Sequence, residues 1–303
     1  MSNDPILLTG ASGLIGRAML ARADQTRRIY GLVRALPENP LPDHAVTVVH
    51  DLSRHEDPPL SELPETVVHL AQSPHFRDFP ERAHDVFEVN VGATQRLLDW
   101  AHRKGVKRFV YASTGGLYGR GKDAFQEDAP LRGGGSLGHY LVSKQCGELL
   151  AQAYAGTMLV IVLRLFFVYG PGQRRTMLIP RLIENIAMGR PTSLQGQDGI
   201  RINPIYAADA ASAVWSAAEL TTSDTINVAG PQLLTIREIA MIAGGHLGRT
   251  PGFEIQVGGE AGDLIGSISK MTVLLGEPKV TMNAGLRWMI DSNSGQGGSA
   301  TRG

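Results

Sequence analysis

The sequence predicts an α/β fold: a doubly wound parallel sheet with a smaller α/β lobe toward the C-terminus. Three observations carry this prediction. Short apolar runs alternate with longer stretches of helical periodicity through the first two thirds of the chain. The runs are apolar at nearly every position, which suits strands covered on both faces rather than a one-sided antiparallel sheet. Strand–helix alternation places crossover helices on both sides of a parallel sheet.

Taken in order, strands are expected at 6–8, 29–33, 46–49, 67–70, 109–111, 159–167 and 225–228, each bounded by turn residues. Between them Val91, Thr94, Leu97, Leu98 and Ala101 recur at the spacing of one helix face. Past Tyr169 a Gly170-Pro171-Gly172 cluster makes a turn, and helical patterns return at 178–188, 207–219 and 236–247. The main domain is therefore assigned to 1–170 with 206–229, and the smaller lobe to 171–205 with 230–291. Residues 292–303 are rich in Gly and Ser without apolar periodicity, so a disordered tail is expected there.

Composition excludes several classes of function. The 303 residues are 43% hydrophobic and 19% charged, enough for a sizeable core and unlike a disordered chain. Lys plus Arg total 29, as do Asp plus Glu, so net charge gives no reason to hold nucleic acid or an anionic membrane. The single cysteine, Cys146, can form neither an internal disulfide nor a cysteine-based zinc site. No basic-then-apolar leader and no apolar run of about 18 residues is present. A soluble cytoplasmic protein is expected.

The first strand runs into Thr9-Gly10-Ala11-Ser12-Gly13-Leu14-Ile15-Gly16. Gly10 suits a tight turn, Gly13 admits the backbone close to a pyrophosphate, and Gly16 lets helix and strand pack. The N–H groups of Ser12, Gly13, Leu14 and Ile15 at a helix start favour an anion. The spacing is one residue wider than the usual dinucleotide fingerprint. With its context it marks a Rossmann domain and leaves the lobe to bind substrate. The second strand ends at Arg34, with no acidic residue between Ile29 and Leu36. An arginine there accommodates a 2′-phosphate, which favours NADP(H) while leaving NAD(H) possible. Asp51, followed by Leu52, can bond an adenine amino group or simply form a turn.

Tyr140 and Lys144 stand four residues apart, neighbours on one helical face. A nearby ammonium lowers a tyrosine pKa from its usual value near 10, so that Tyr140 can exchange a proton with a carbonyl or alcohol. Thr114 follows an apolar strand and offers a hydroxyl to the same oxygen.

These marks resemble the extended short-chain dehydrogenase/reductase family, the group of nucleotide-sugar epimerases and dehydratases. The resemblance runs from Ile6 to about Ile290. Beside the glycine turn it rests on Asp51-Leu52, His69-Leu70-Ala71, 90–94, 112–119, Tyr140 with Lys144, and Leu163-Arg164 through Gly172. It implies that Thr114, with Ser113 the less favoured choice, and Tyr140 hold the reacting oxygen. It also implies that Lys144 contacts the nicotinamide ribose. Leu70, Ala71 and Gln72 would line the cofactor, Asn90 would tie the sheet near the cofactor site, and Phe167 and Val168 would meet the nicotinamide amide. Most members pair two subunits, which implies an isologous homodimer.

Absences narrow the reaction. The family's 4,6-dehydratases carry an Asp-Glu pair after the threonine, and its decarboxylating members also need a carboxylate there. This chain has Gly115-Gly116, so both are rejected. Hydride transfer remains, either as an NADP(H)-linked ketoreductase or as an epimerase with retained cofactor. The substrate side is less marked: Phe167 stands where sugar-nucleotide members usually have Asn. Arg201 and Arg174 are candidates for a phosphate, with Arg175 a further one, and Ser73, Gly115 and Gly116 are candidate substrate contacts. His75 and Phe76 are a candidate substrate rim, and no metal site is expected. A cofactor-sensing regulator would need neither Tyr140 nor Lys144.

Overall fold

The computed structural model describes residues 4–132, 137–256, 258 and 262–296. Its first half lays down β1 (Ile6–Thr9), α1 (Leu14–Leu20), β2 (Ile29–Val33), β3 (Ala45–Val49), β4 (Thr66–His69) and α2 (Ala83–Phe87). A π-helical turn, Glu88–Gly92, leads into α3 (Ala93–Lys104), then β5 (Arg108–Thr114), a 3-10 turn (Gly115–Tyr118) and α4 (Gly138–Ala153). The second half contains β6 (Leu159–Leu165), α5 (Leu178–Ala187), β7 (Thr192–Gln195), β8 (Arg201–Ile202), α6 (Ala207–Ala217) and β9 (Asp224–Val228). It closes with β10 (Leu234–Thr235), α7 (Ile236–Leu247), β11 (Phe253–Gln256), α8 (Ser269–Leu274) and α9 (Met282–Gln296).

Seven parallel strands form one sheet in the order β3-β2-β1-β4-β5-β6-β9. The order reverses between β1 and β4, and at such a switch point the carboxyl ends of the strands open a crevice for ligands. The apolar runs are buried as their composition requires: every residue of β1, β2 and β4 is inaccessible. Strand β3 departs from this, with Val46, Thr47 and Val49 exposed, because it is the sheet edge. One apolar layer packs α1, α6 and α8 on the sheet, and the other packs α3 and α4.

A third apolar layer gathers Ile179, Leu182, Ile202, Ile239 and Leu286 from α5, β8, α7 and α9 into the lobe. Thr235 starts α7 with a capping box, its hydroxyl accepting from Glu238 N–H while Glu238 returns to the Thr235 N–H. Two expectations change here. Helix α8 falls within the stretch assigned to the lobe, yet Met271 and Leu275 are buried in the main layer and Lys270 pairs with Asp224 at 2.8 Å. Residues 292–296, expected in the tail, continue α9, and 297–303 lie outside the described residues.

Strand β6 also ends earlier than its apolar run, at Leu165. Phe166 is buried, and Phe167 turns the chain away with φ +43°, in the left-handed region that bulky residues rarely occupy. Such strain persists only where surrounding structure holds it.

Candidate active site

The glycine turn behaves as its spacing requires. Gly10 has φ +69°, and Gly13 N–H closes the turn on Gly10 O at 2.9 Å. A Cβ at Gly16 would stand 2.4 Å from Gly10 O, so only glycine lets α1 sit so close to β1. Beyond this turn lies a cavity of about 900 Å³ along the carboxyl ends of the strands, large enough for a sizeable ligand.

Gly10, Ser12, Gly13, Leu14, Ile15, Arg34, Asp51, Leu52, Leu70, Ala71, Gln72, Phe167 and Val168 all line the cavity, as do Thr114 and Tyr140. On the substrate side Ser73, Gly116 and Arg174 line it too. Phe76 does so as well, its ring 5.1 Å from that of Tyr140. His75 instead bonds Asp78 at 2.9 Å.

Five expected contacts do not face the cavity. Gly16 is consumed in packing, as described. Asn90 is buried with both ends of its amide engaged: Oδ1 accepts from Ser73 N–H at 2.9 Å and Nδ2 donates to Ser143 Oγ at 2.9 Å. It holds a cavity wall to α4, with its amide already engaged on both sides. Lys144 lies below the floor, 3% exposed, with Nζ 4.5 Å from the centre of the Tyr111 ring. Gly115 backs onto Phe166, whose ring would stand 2.4 Å from an added Cβ. Arg201 is committed to Asp263, with Nε 2.7 Å from Oδ2.

The reacting groups converge from two elements. Thr114 ends β5, and its Oγ1 accepts from Gly116 N–H at 3.1 Å, which leaves the hydroxyl hydrogen free to donate. Tyr140 comes from the first turn of α4, and its hydroxyl donates to Gln72 Oε1 at 3.2 Å. Burial pushes the Tyr140 pKa up to about 12, against the lowering effect of a hydrogen bond from Thr114. The lowering expected from Lys144 is not found: its Nζ lies over the Tyr111 ring, and desolvation dominates Tyr140. Lys144 itself is drawn down to about 7 by burial, with the Glu148 carboxylate acting in the opposite direction. Ser113, the less favoured hydroxyl, is buried and its Oγ has no hydrogen-bond partner.

Two features escaped the sequence reading. His69 is buried between Thr9 Oγ1, at 2.7 Å from Nδ1, and Thr94 Oγ1, at 3.0 Å from Nε2. Thr94 donates its own hydrogen to Asn90 O, so it accepts from His69, and Nδ1 must accept from Thr9. Thr9 Oγ1 in turn accepts from Ala71 N–H at 3.2 Å, fixing the wall of the crevice. Beneath α4, Arg164 pairs with the buried Glu148 at 2.8 Å and donates to Tyr118 Oη at 2.7 Å. At the far end Asp51 caps a turn, its Oδ1 accepting from Ser53 N–H and hydroxyl. Burial opposes ionisation of Asp51, but those bonds with Arg34 and Arg54 hold its carboxyl below the usual range.

The donor set fits a nicotinamide dinucleotide: N–H groups at a helix start, a carboxylate after β3, and two hydroxyls converging at the opposite end. Among the described residues no cluster of His, Cys, Asp and Glu could hold a metal ion, and no helix is long and apolar enough to cross a membrane.

Known proteins share this arrangement. The family model described as "NAD dependent epimerase/dehydratase family" matches residues 6–229. The curated "Uncharacterized UDP-glucose epimerase YtcB" of Bacillus subtilis (strain 168) is 27% identical over 304 residues, covering 93% of this chain and 95% of its own. A dTDP-glucose 4,6-dehydratase of Streptomyces griseus is 34% identical over 213 residues, covering 65% of this chain and 64% of its own. The solved structure of MoeE5 in complex with UDP-glucuronic acid and NAD matches with a TM-score of 0.82 at 26% identity. That match covers 96% of this chain and 99% of MoeE5.

Proposed function

The chain is an enzyme of the NAD-dependent epimerase/dehydratase family, and from that premise we propose that it moves hydride at a hydroxyl-bearing carbon of a nucleoside diphosphate sugar. One observation carries the reading: Tyr140 and Thr114 meet on the cavity beside Gly115-Gly116, which bring no acid or base for eliminating water. The complex of MoeE5 with a UDP-sugar and NAD supports the substrate class and the cofactor.

In this reading the 10–15 turn holds a pyrophosphate, Asp51 and Leu52 border the adenine, and Phe167 and Val168 border the nicotinamide. The bound dinucleotide supplies the hydride acceptor and donor. Tyr140, protonated at neutral pH, gives its proton to a substrate carbonyl oxygen while Thr114 donates a hydrogen bond to the same atom. In the reverse direction Tyr140 must first lose that proton, and Lys144 favours the loss only while it carries its own charge.

Transient oxidation and return of hydride to the opposite face would make the enzyme an epimerase, supported by the near-full-length relationship to YtcB. Net reduction is the second reading. It is favoured by Arg34, exposed on the cavity at the end of β2, which suits the 2′-phosphate of NADP(H). Denaturing the purified protein and identifying released nucleotide separates the two. Stoichiometric NAD or NADP supports the epimerase; an empty protein that prefers NADPH and consumes it on a 4-keto sugar nucleotide supports the ketoreductase. Failure to bind either dinucleotide would overturn both. A homodimer belongs to the same proposal: Val142 and Leu149 project from α4 at 55% and 60% exposure. A monomeric mass in sedimentation at micromolar concentration would refute it.

A further inference from the structure

Arg201 was the sequence candidate for a phosphate, yet its guanidinium is already paired. Nε and Nη2 both lie 2.7 Å from Asp263 Oδ2, and Nη2 also reaches Lys122 O at 3.3 Å. Asp263 in turn exchanges backbone hydrogen bonds with Gly121, at 2.9 and 2.7 Å. Arg201 thus staples the 120–122 segment against 262–264, outside the cavity.

That staple presents a different arginine. Arg120 lines the cavity, and its Nη1 is buried without any hydrogen-bond partner. A permanently charged donor left unsatisfied is costly and is satisfied best by an anion. Arg132 stands beside it: its backbone N–H is fixed to Leu117 O at 2.8 Å, its Cβ packs toward Gly119, and it is exposed on the same cavity. Asp51 is the one carboxylate among the described lining residues, and it belongs to the other end, beside Arg34. Nothing acidic on the lining competes for Arg120.

We propose that Arg120, assisted by Arg132, is the phosphate-binding group of the substrate half, with Arg201 acting only as its positioning residue. This rests on the nucleoside diphosphate sugar reading. Guanidinium groups suit phosphate because their parallel N–H bonds match two oxygens at once. The 3-10 turn that follows Thr114 runs directly into Gly119 and Arg120, so a phosphate held there is registered against the reacting hydroxyls by a few residues of fixed chain.

The test is titration calorimetry of the full-length protein with UDP, uridine, inorganic pyrophosphate and NAD, comparing wild type with Arg120→Met, Arg120→Lys, Arg132→Met and Arg201→Met. Arg120→Met is expected to weaken UDP and pyrophosphate by about ten- to a hundredfold, leaving uridine and NAD unchanged. Arg120→Lys should recover part of the loss, and Arg132→Met should weaken both by less. Unchanged NAD affinity in each variant establishes that it is folded. Wild-type-like pyrophosphate binding in Arg120→Met, or a larger loss in Arg201→Met than in Arg120→Met, overturns the assignment. A wild type that binds pyrophosphate through Arg120 but no nucleoside diphosphate, whatever its base, sustains the phosphate site and refutes the substrate class instead. A wild type that binds neither refutes both.

Discussion

Acidification should weaken this fold through one side chain, His69. It is 1% exposed, wedged against Phe109 and Tyr111, with ring centroids 5.9 Å away in each case. Burial, with Lys144 adding to it, drives its pKa down to about 3. The hydrogen bonds act in the same direction, because Nδ1 accepts from Thr9 and has no room for a proton of its own. A base depressed on folding is protonated first in the unfolded chain. Stability is therefore complete above about pH 6.5 and is lost as pH falls from there toward 3. Between pH 8 and pH 5 the unfolded histidine gains roughly 1.5 units' worth of proton binding that the folded one refuses, or about 2 kcal/mol. His69→Gln removes the titrating group while keeping a polar side chain in place. Urea unfolding followed by tryptophan fluorescence at both pH values should show wild type losing about 2 kcal/mol more than the variant. Equal losses would refute the reasoning. Because folded His69 stays neutral over that window and keeps ordering Thr9, which receives Ala71 N–H, dinucleotide affinity of the folded protein should not change with it.

Three other predictions bear on the site. Tyr140→Phe should lower turnover by about 10²–10⁴-fold while leaving dinucleotide affinity within about twofold, because the phenol moves a proton and the ring remains; steady-state turnover at the wild-type level would refute its role. In ligand-free protein with carbon-13 lysine, one side chain should titrate near pH 7 by NMR and vanish in Lys144→Met, as burial requires; every lysine titrating above pH 9 would contradict it. Gly115→Ala should cost about 1–3 kcal/mol in urea unfolding, since its Cβ would enter the Phe166 ring. Unchanged stability would show that the ring gives way.

Local patterns were readable where chemistry and backbone act within a few residues. The glycine turn, the seven apolar runs and the Tyr140–Lys144 spacing each act locally, so the sheet and the cofactor crevice could be anticipated. Contacts between distant segments could not. Arg201 pairs with a carboxylate 62 residues away, and no local signal announces it. Asn90 was placed beside the cofactor, but its direction depends on where Ser73 and Ser143 arrive. The Tyr140–Lys144 spacing placed both on α4 but not their environment: Lys144 turns to Tyr111, and burial, which helical spacing does not reveal, raises the tyrosine pKa. Helix α8 was assigned to the lobe by chain order, although its apolar face fits the main layer.

The clamp at Asn90 couples two walls of the crevice. By holding the loop after β4 and the helix of Tyr140 in a single amide, it makes those two sides of the crevice one body. The facing side is built by the segment after β6, which turns at Phe167 and runs on through Gly170 to Gly172. Across that opening Arg174 reaches to Pro74 O at 3.1 Å, an exposed hydrogen bond and a latch of modest strength. One amide thus fixes two walls of the crevice, while the facing segment is tied back to them through an exposed arginine.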